Sequence, residues 1–249
     1  MRRLIAPILF LACLPFAIQA ADTSRILQAT SPAAGVNRIT FVAGVGQLKV
    51  TASPDDDVHV HVRLERKSQN FLWFFHWMSD TTAQAIEQIT LQQQRQADGI
   101  DYSLKYPDHL DEGDVKQTWE IQVPARLAVK IQMKVGQLSL DGVAGGVDVS
   151  LNVGEVTLNT PRGPMKATVN VGQIRAISAT SQPGDIKLST TIGDARFYMK
   201  SRTISHDNIH HSGLGRSIDI SGKGPDKMDL EVNIGEVTLH VGAAREYGK

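Results

Sequence analysis

The stretch NVGEVTL, Asn152 to Leu158, decides the fold, because it returns as NIGEVTL at Asn233 to Leu239. Looser copies are KVGQLSL (Lys134 to Leu140), NVGQIRA (Asn170 to Ala176), TIGDARF (Thr191 to Phe197) and, far upstream, GVGQLKV (Gly44 to Val50). The motif glycines Gly136, Gly154, Gly172 and Gly193 are spaced 18, 18 and 21 residues apart, and Gly235 follows 42 residues on. A fixed period of about twenty residues marks stacked repeating units. The last gap is twice 21, so a degenerate unit is expected near Gly213 to Gly215.

Within one unit, VDVSLNVGEVTLNTPRG, the residues Val147, Val149, Leu151 and Val153 share one parity and Asp148, Ser150 and Asn152 the other. That is an apolar-in, polar-out strand. After Gly154 the apolar parity flips to Val156 and Leu158. An alternating strand cannot change its buried face without a bend, so Gly154-Glu155 is expected to be a corner or bulge. The run from Asn159 to Pro164 supplies the turn to the next unit, where Ala167, Val169 and Val171, then Ile174 and Ala176, repeat the scheme. One unit buries too few aliphatic side chains to offset the entropy of ordering its backbone, so the units must stack. The expected fold is all-β: a parallel β-solenoid of 18 to 21 residues per coil behind an N-terminal β-rich capping region.

Equivalent residues of a stack form ladders about 4.8 Å apart. After the corner glycine the ladder is Gln137, Glu155, Gln173, Asp194, a degenerate coil, then Glu236. Interposed amides keep the carboxylates apart, a pattern of charge spacing rather than of a cation site.

The first twenty residues read as a cleaved secretory signal rather than a membrane anchor, with Arg2 and Arg3, an apolar run from Leu4 to Ile18 interrupted by Pro7 and Pro15, and Ala20-Ala21 as the expected cleavage region. Cys13, after Phe10-Leu11-Ala12, faintly resembles a lipid attachment site. Cleavage removes that cysteine and two of the 26 basic residues, leaving 24 against 26 acidic ones. This balance argues against non-specific nucleic-acid binding, and the missing cysteine rules out a thiol nucleophile or thiolate metal site. The chain divides into the signal at 1–20, an N-terminal β region at 21–130, the repeats at 131–242 and a tail at 243–249.

In VHVHVRLER, Val58, Val60, Val62 and Leu64 alternate with His59, His61, Arg63 and Glu65. The two histidines share a polar face; without a third ligand they form a solvated face rather than a metal site. FLWFFHWMSD, Phe71 to Asp80, is the most aromatic stretch. Phe71, Trp73, Phe74, Phe75 and Trp77 either plug an end of the stack or meet an envelope partner: a protein, a glycan or a membrane surface. Thr81 to Gln88 could make two helical turns, and a hairpin about Ala97-Asp98-Gly99 pairs Ile89 and Leu91 with Ile100, Tyr102 and Leu104.

Ser205-His206-Asp207 cannot act as a catalytic triad, because contiguous residues cannot converge their side chains. His206, His210 and His211 form the densest metal-capable cluster and belong to a polar insertion. No phosphate loop, zinc-protease motif or serine elbow is present.

With these residues in view, the chain resembles the bacterial "putative adhesin" family, related to auto-transporter adhesin head (GIN) domains. The resemblance spans Gly44 to Val241 and lies in GQLKVTASPDDDVHVHVRLER, in the hairpin ending LKYP, in EIQVPARLAVKIQMKVGQLSLDGVAGGVDVSLNVGEVTLN and in the recurring corners. The residue before each corner glycine departs from it: the family has a small polar residue there, and this chain has Val135, Val153, Val171, Ile192 and Ile234. The resemblance implies a β-solenoid of the cell envelope with no catalytic residues to carry over.

The expectation is therefore a non-enzymatic, exported binding or envelope-stress module, periplasmic or extracellular, with no catalytic, metal or cofactor site. The alternatives are a polysaccharide-active β-helix enzyme and a structural or assembly protein.

Overall fold

A computed structural model of the chain describes residues 24–66, 85–160, 162–178, 180, 184–199, 209–212 and 227–241. These residues are all-β, in one mixed sheet that is not closed. The strands of the N-terminal region are β1 (Ser24–Pro32), β2 (Arg38–Ala52), β3 (Asp57–Arg66), β4 (Thr90–Arg95), β5 (Gly99–Lys105) and β6 (Val115–Val123). Those of the repeats are β7 (Ala128–Asp141), β8 (Val147–Thr160), β9 (Met165–Ser178), β10 (Ile186–Met199), β11 (Ile209–Ser212), β12 (Met228–Ile234) and β13 (Val237–Val241). Residues 1–20, the aromatic stretch, His206, Gly213 to Gly215 and the tail lie outside the described residues.

The four 14-residue strands β7 to β10 are parallel neighbours, each motif lying on the next without a shift. Val129, Val147, Met165 and Ile186 form one row, and Leu138, Val156, Ile174 and Ala195 another. The upstream copy belongs to the same stack, since β2 pairs with β7 from Arg38↔Ala128 to Thr51↔Asp141. The hydrophobic core collects the inward rows of both halves of each strand, such as Val147, Val149 and Leu151 with Val156 and Leu158.

Every strand bends at its motif glycine. Gly136, Gly154, Gly172, Gly193 and Gly235 have φ between 135° and 143°, a region that L side chains rarely enter. A Cβ on Gly154 would lie 1.8 Å from the Gly136 carbonyl oxygen, and one on Gly172 equally close to that of Gly154. Glycine is required both for the bend and for the closeness of the rungs.

The corner begins earlier than the alternation suggests. Val153 and Val171, expected to continue the inward parity, are exposed, as are Val135, Ile192 and Ile234. Inward alternation stops at Leu151 and resumes at Val156. The physical reason is that a bend costs the strand one reversal of facing, and the residue before the glycine is swung outward by it.

A second correction concerns the 42-residue gap. No unit stands between the rungs of Gly193 and Gly235: β12 and β13 both pair directly with β10. β11 lies on the outer side of β12, with Ile209↔Met228 and Ser212↔Glu231. Asp194 and Glu236 are consequently direct neighbours, and the expected spacing of carboxylates along the ladder breaks at this rung. Glu236 N–H donates to Asp194 Oδ1 at 3.1 Å, and Arg196 Nη2 donates to Asp194 Oδ2 at 3.1 Å. The guanidinium and the backbone N–H thus offset the repulsion that the amides relieve elsewhere.

On the other side of β2 the sheet continues through β5 beside its first half and β6 beside its second. The hairpin β4–β5 is antiparallel with Leu91↔Leu104, as its alternation predicts; β6 joins β2 in parallel, and β3 and then β1 follow β6 antiparallel. Ala85 and Ile86 are buried and turn into β4 through Gln88 N–H to Ala85 O and Ile89 N–H to Ile86 O; residues 81–84 are not described. Phe41 stacks on Tyr102 at 5.4 Å between centroids. The buried Gln117 knits the junction, its Oε1 accepting from Gly44 N–H at 3.0 Å and Trp119 Nε1 at 2.8 Å, while its Nε2 donates to Tyr106 Oη at 2.6 Å. Burial pushes the Tyr106 phenol well above its ordinary range, so it stays neutral.

Candidate functional site

The residues swung outward at the corners line up. Val45, Val135, Val153, Val171, Ile192 and Ile234 are successive partners across β2, β7, β8, β9, β10 and β12. Val135 to Ile234 are 40 to 60 % exposed, and Val45 is half-buried. Six rungs at about 4.8 Å make a column of β-branched aliphatics roughly 24 Å long. A single exposed valine needs no explanation; an uninterrupted column is an apolar patch on a water-facing edge.

The flanks of this column are polar and differ in charge. On the C-terminal side lie Gln137, Glu155, Gln173, Asp194 and Glu236. On the N-terminal side are Lys134, Asn152, Asn170, Thr191 and Asn233, with Asn170 Nδ2 donating to Asn152 Oδ1 at 3.3 Å. Lys134 pairs with Glu112, and that hydrogen bond holds the ammonium above its usual range. One flank therefore carries three carboxylates and the other is nearly neutral. Such a strip suits an uncharged or basic surface better than an anionic one.

His59 and His61 occupy the solvent side of β3, opposite the buried Val58, Val60, Val62 and Leu64. They border a polar cleft of about 370 Å³ with Lys49, Glu120 and Gln122. His59 is already engaged: Nε2 meets the Asp55 carboxylate at 3.0 Å and Nδ1 lies 3.4 Å from Thr30 Oγ1. The Ser53 hydroxyl, His59 and the Asp57 N–H hold the Asp55 carboxyl down at about 2, against an ordinary 3.8. Among the described residues no three metal-capable side chains converge. His206 lies outside the described residues, and of His210 and His211 only the backbone in β11 is described.

Phe71, Trp73, Phe74, Phe75 and Trp77 also lie outside the described residues. The corner column was missed by reading parity straight through Val153. Its signal was present, because the residue before the corner glycine is Val or Ile on every rung.

No family model and no curated protein matches the chain. Among solved structures it is similar to a "putative cell adhesion protein" from Clostridium sporogenes, at 9% identity and TM-score 0.47, over 88% of this chain and 99% of that one. It is also similar to a "putative adhesin" from Bacteroides fragilis, at 14% identity and TM-score 0.26, over 86% and 97%. A "putative adhesin" from Parabacteroides distasonis matches at 15% identity and TM-score 0.27, over 87% and 97%. At these identities and TM-scores the likeness assigns no residue roles here.

Proposed function

We propose that the chain is an exported, non-enzymatic module of the cell envelope, a parallel β-solenoid capped by antiparallel strands, that binds a protein partner in the manner of an adhesin. The single observation that carries this reading is the uninterrupted corner column from Val135 to Ile234. Leaving five aliphatic side chains in water on consecutive rungs is costly unless something covers them. The polar columns beside it support a binding role over a catalytic one, because the carboxylate of Asp194 is spent on Arg196 and on the Glu236 backbone. The aromatic stretch at Phe71 to Trp77 serves in this reading as a second contact.

Co-sedimentation of the purified protein with cell-envelope fractions tests it. The triple variant Val153→Ser, Val171→Ser, Ile192→Ser should lose at least tenfold in bound fraction while keeping its strand signature. Retention equal to the native chain would sink the column as the contact. Trp73→Ala with Trp77→Ala reports separately on the aromatic stretch.

A further inference from the structure

A different face of the stack carries a depression that the column does not use. Where the connecting segments enter the strands, backbone links define an outward row: Val129 N–H donates to Gly146 O, Val147 N–H to Pro164 O, Met165 N–H to Asp185 O and Ile186 N–H to Lys227 O. Toward its β7 end that row is small and apolar, with Ala128, Gly146 and Pro164; Asp185 and Lys227 continue it toward β12. Two residues further along each strand runs a charged row, Lys130, Asp148, Lys166, Lys187 and Asp229, in register across β7, β8, β9, β10 and β12. Between the two rows lies a depression of about 540 Å³. That volume falls within the range of small-molecule sites, about 300 to 1,000 Å³.

The walls are charged with a basic excess, Asp148, Asp185 and Asp229 standing among five cations. Lys166 is 3.9 Å from Asp148 and Lys187 is 2.8 Å from Asp229. Lys130 and Lys227 also line the depression; among the described residues neither ammonium forms a salt bridge, while the Asp185 carboxylate, also in the lining, accepts from the Lys227 backbone N–H at 3.0 Å. The two lysines stand near opposite ends, four rung intervals or roughly 19 Å apart. Among the described residues no aromatic side chain lines the depression, so these offer no stacking face for a sugar ring. Its floor is apolar, and lysine stems extend that apolar surface while keeping their ammonium heads in water.

We infer that this depression binds a single-chain anionic amphiphile, a long-chain carboxylate, with its acyl chain lying across the rungs over Ala128, Gly146 and Pro164 and its head group at Lys130 or Lys227. An apolar trough whose lining carries five cations, Arg38, Lys130, Lys166, Lys187 and Lys227, against three carboxylates matches the two halves of such a molecule. A neutral amphiphile would leave the cations unused, and a chainless polyanion would leave the floor uncovered. The inference is independent of the corner column.

Titration with sodium laurate below its micelle concentration, followed through backbone amide shifts, tests it. Saturable shifts are expected at Val129, Gly146, Val147 and Ile186. Lys130→Glu combined with Lys227→Glu should weaken laurate at least tenfold, and Ala128→Trp, which fills the trough, should do the same. Dodecyl maltoside, with the same chain and no charge, should bind at least tenfold more weakly than laurate. The triple corner variant should bind laurate as the native chain does, which separates failure of this site from failure of the column. The inference is overturned if laurate produces no saturable shifts, if the double lysine variant binds it unchanged, or if oligogalacturonate saturates the same amides at lower concentration.

Discussion

Asp194 and Glu236 are 42 residues apart in the chain and immediate neighbours in space, the backbone N–H of Glu236 donating to Asp194 Oδ1 at 3.1 Å. The contact secures the last rung at the point where β12 gives way to β13. Asp194→Ala should speed hydrogen exchange at Glu236 and Val237 and lower stability by about 1 kcal/mol, the usual net worth of one such bond. Asp194→Asn keeps an acceptor oxygen and should exchange close to the native rate; equal acceleration in both variants would deny the hydrogen bond its role.

Gly154 sits in mid-stack with its φ at 141° and the Gly136 carbonyl where a Cβ would have to go. Gly154→Ala should destabilise the chain by about 3 kcal/mol or more, since backbone strain of roughly 1 to 3 kcal/mol adds to the clash. Denaturant melts read the effect. Gly113→Ala, where a Cβ meets nothing within 4 Å, is the control and should be close to neutral.

Thr190 is buried between Val169 and Val232, its register partners, and its hydroxyl has no hydrogen-bond partner among the described residues. Thr190→Val replaces a dehydrated hydroxyl with a methyl of the same shape. The expected result is a gain of about 1 kcal/mol, seen as a raised denaturation midpoint. A loss would mean that the hydroxyl is satisfied in solution.

The turn before β3 is set by Asp55, whose carboxyl is depressed to about 2 by the Ser53 hydroxyl, by His59 and by the Asp57 N–H. Because the folded value lies below the ordinary 3.8, the charged carboxylate favours the turn above that ordinary value, and this contribution disappears as pH falls through about 2. A carbon-detected titration of Asp55 should show a midpoint near 2. Ser53→Ala should move it upward, and an unshifted midpoint in that variant would remove the hydroxyl as the leading cause.

Much of the stack was legible because its constraints are local. The spacing of Gly136, Gly154 and Gly172 reports a bend that only glycine can make, and the alternation in Val58 to Leu64 reports one buried face. The antiparallel arms around Asp98 follow from the same kind of signal. Val153 was misjudged because parity says which residues share a face only while the strand is straight. The 42-residue gap misled for a different reason: chain length between Gly193 and Gly235 counts residues, whereas pairing depends on where the intervening segment goes, and β11 goes outside β12. The depression by Lys130 and Lys227 had no sequence signature, since Ala128, Gly146 and Pro164 become a surface only once the rungs are in register.

The column of corner glycines also acts as a checksum on assembly. A strand that docks one residue out of place presents a Cβ to a carbonyl and is rejected, so slips within a rung are screened out as each rung is added. A slip of one whole repeat brings glycine onto glycine again and passes unseen. Misassembly of this chain should therefore take the form of skipped or exchanged rungs, most readily among the equally spaced Gly136, Gly154 and Gly172, whereas the longer spacings of 21 and 42 residues mark off the later rungs.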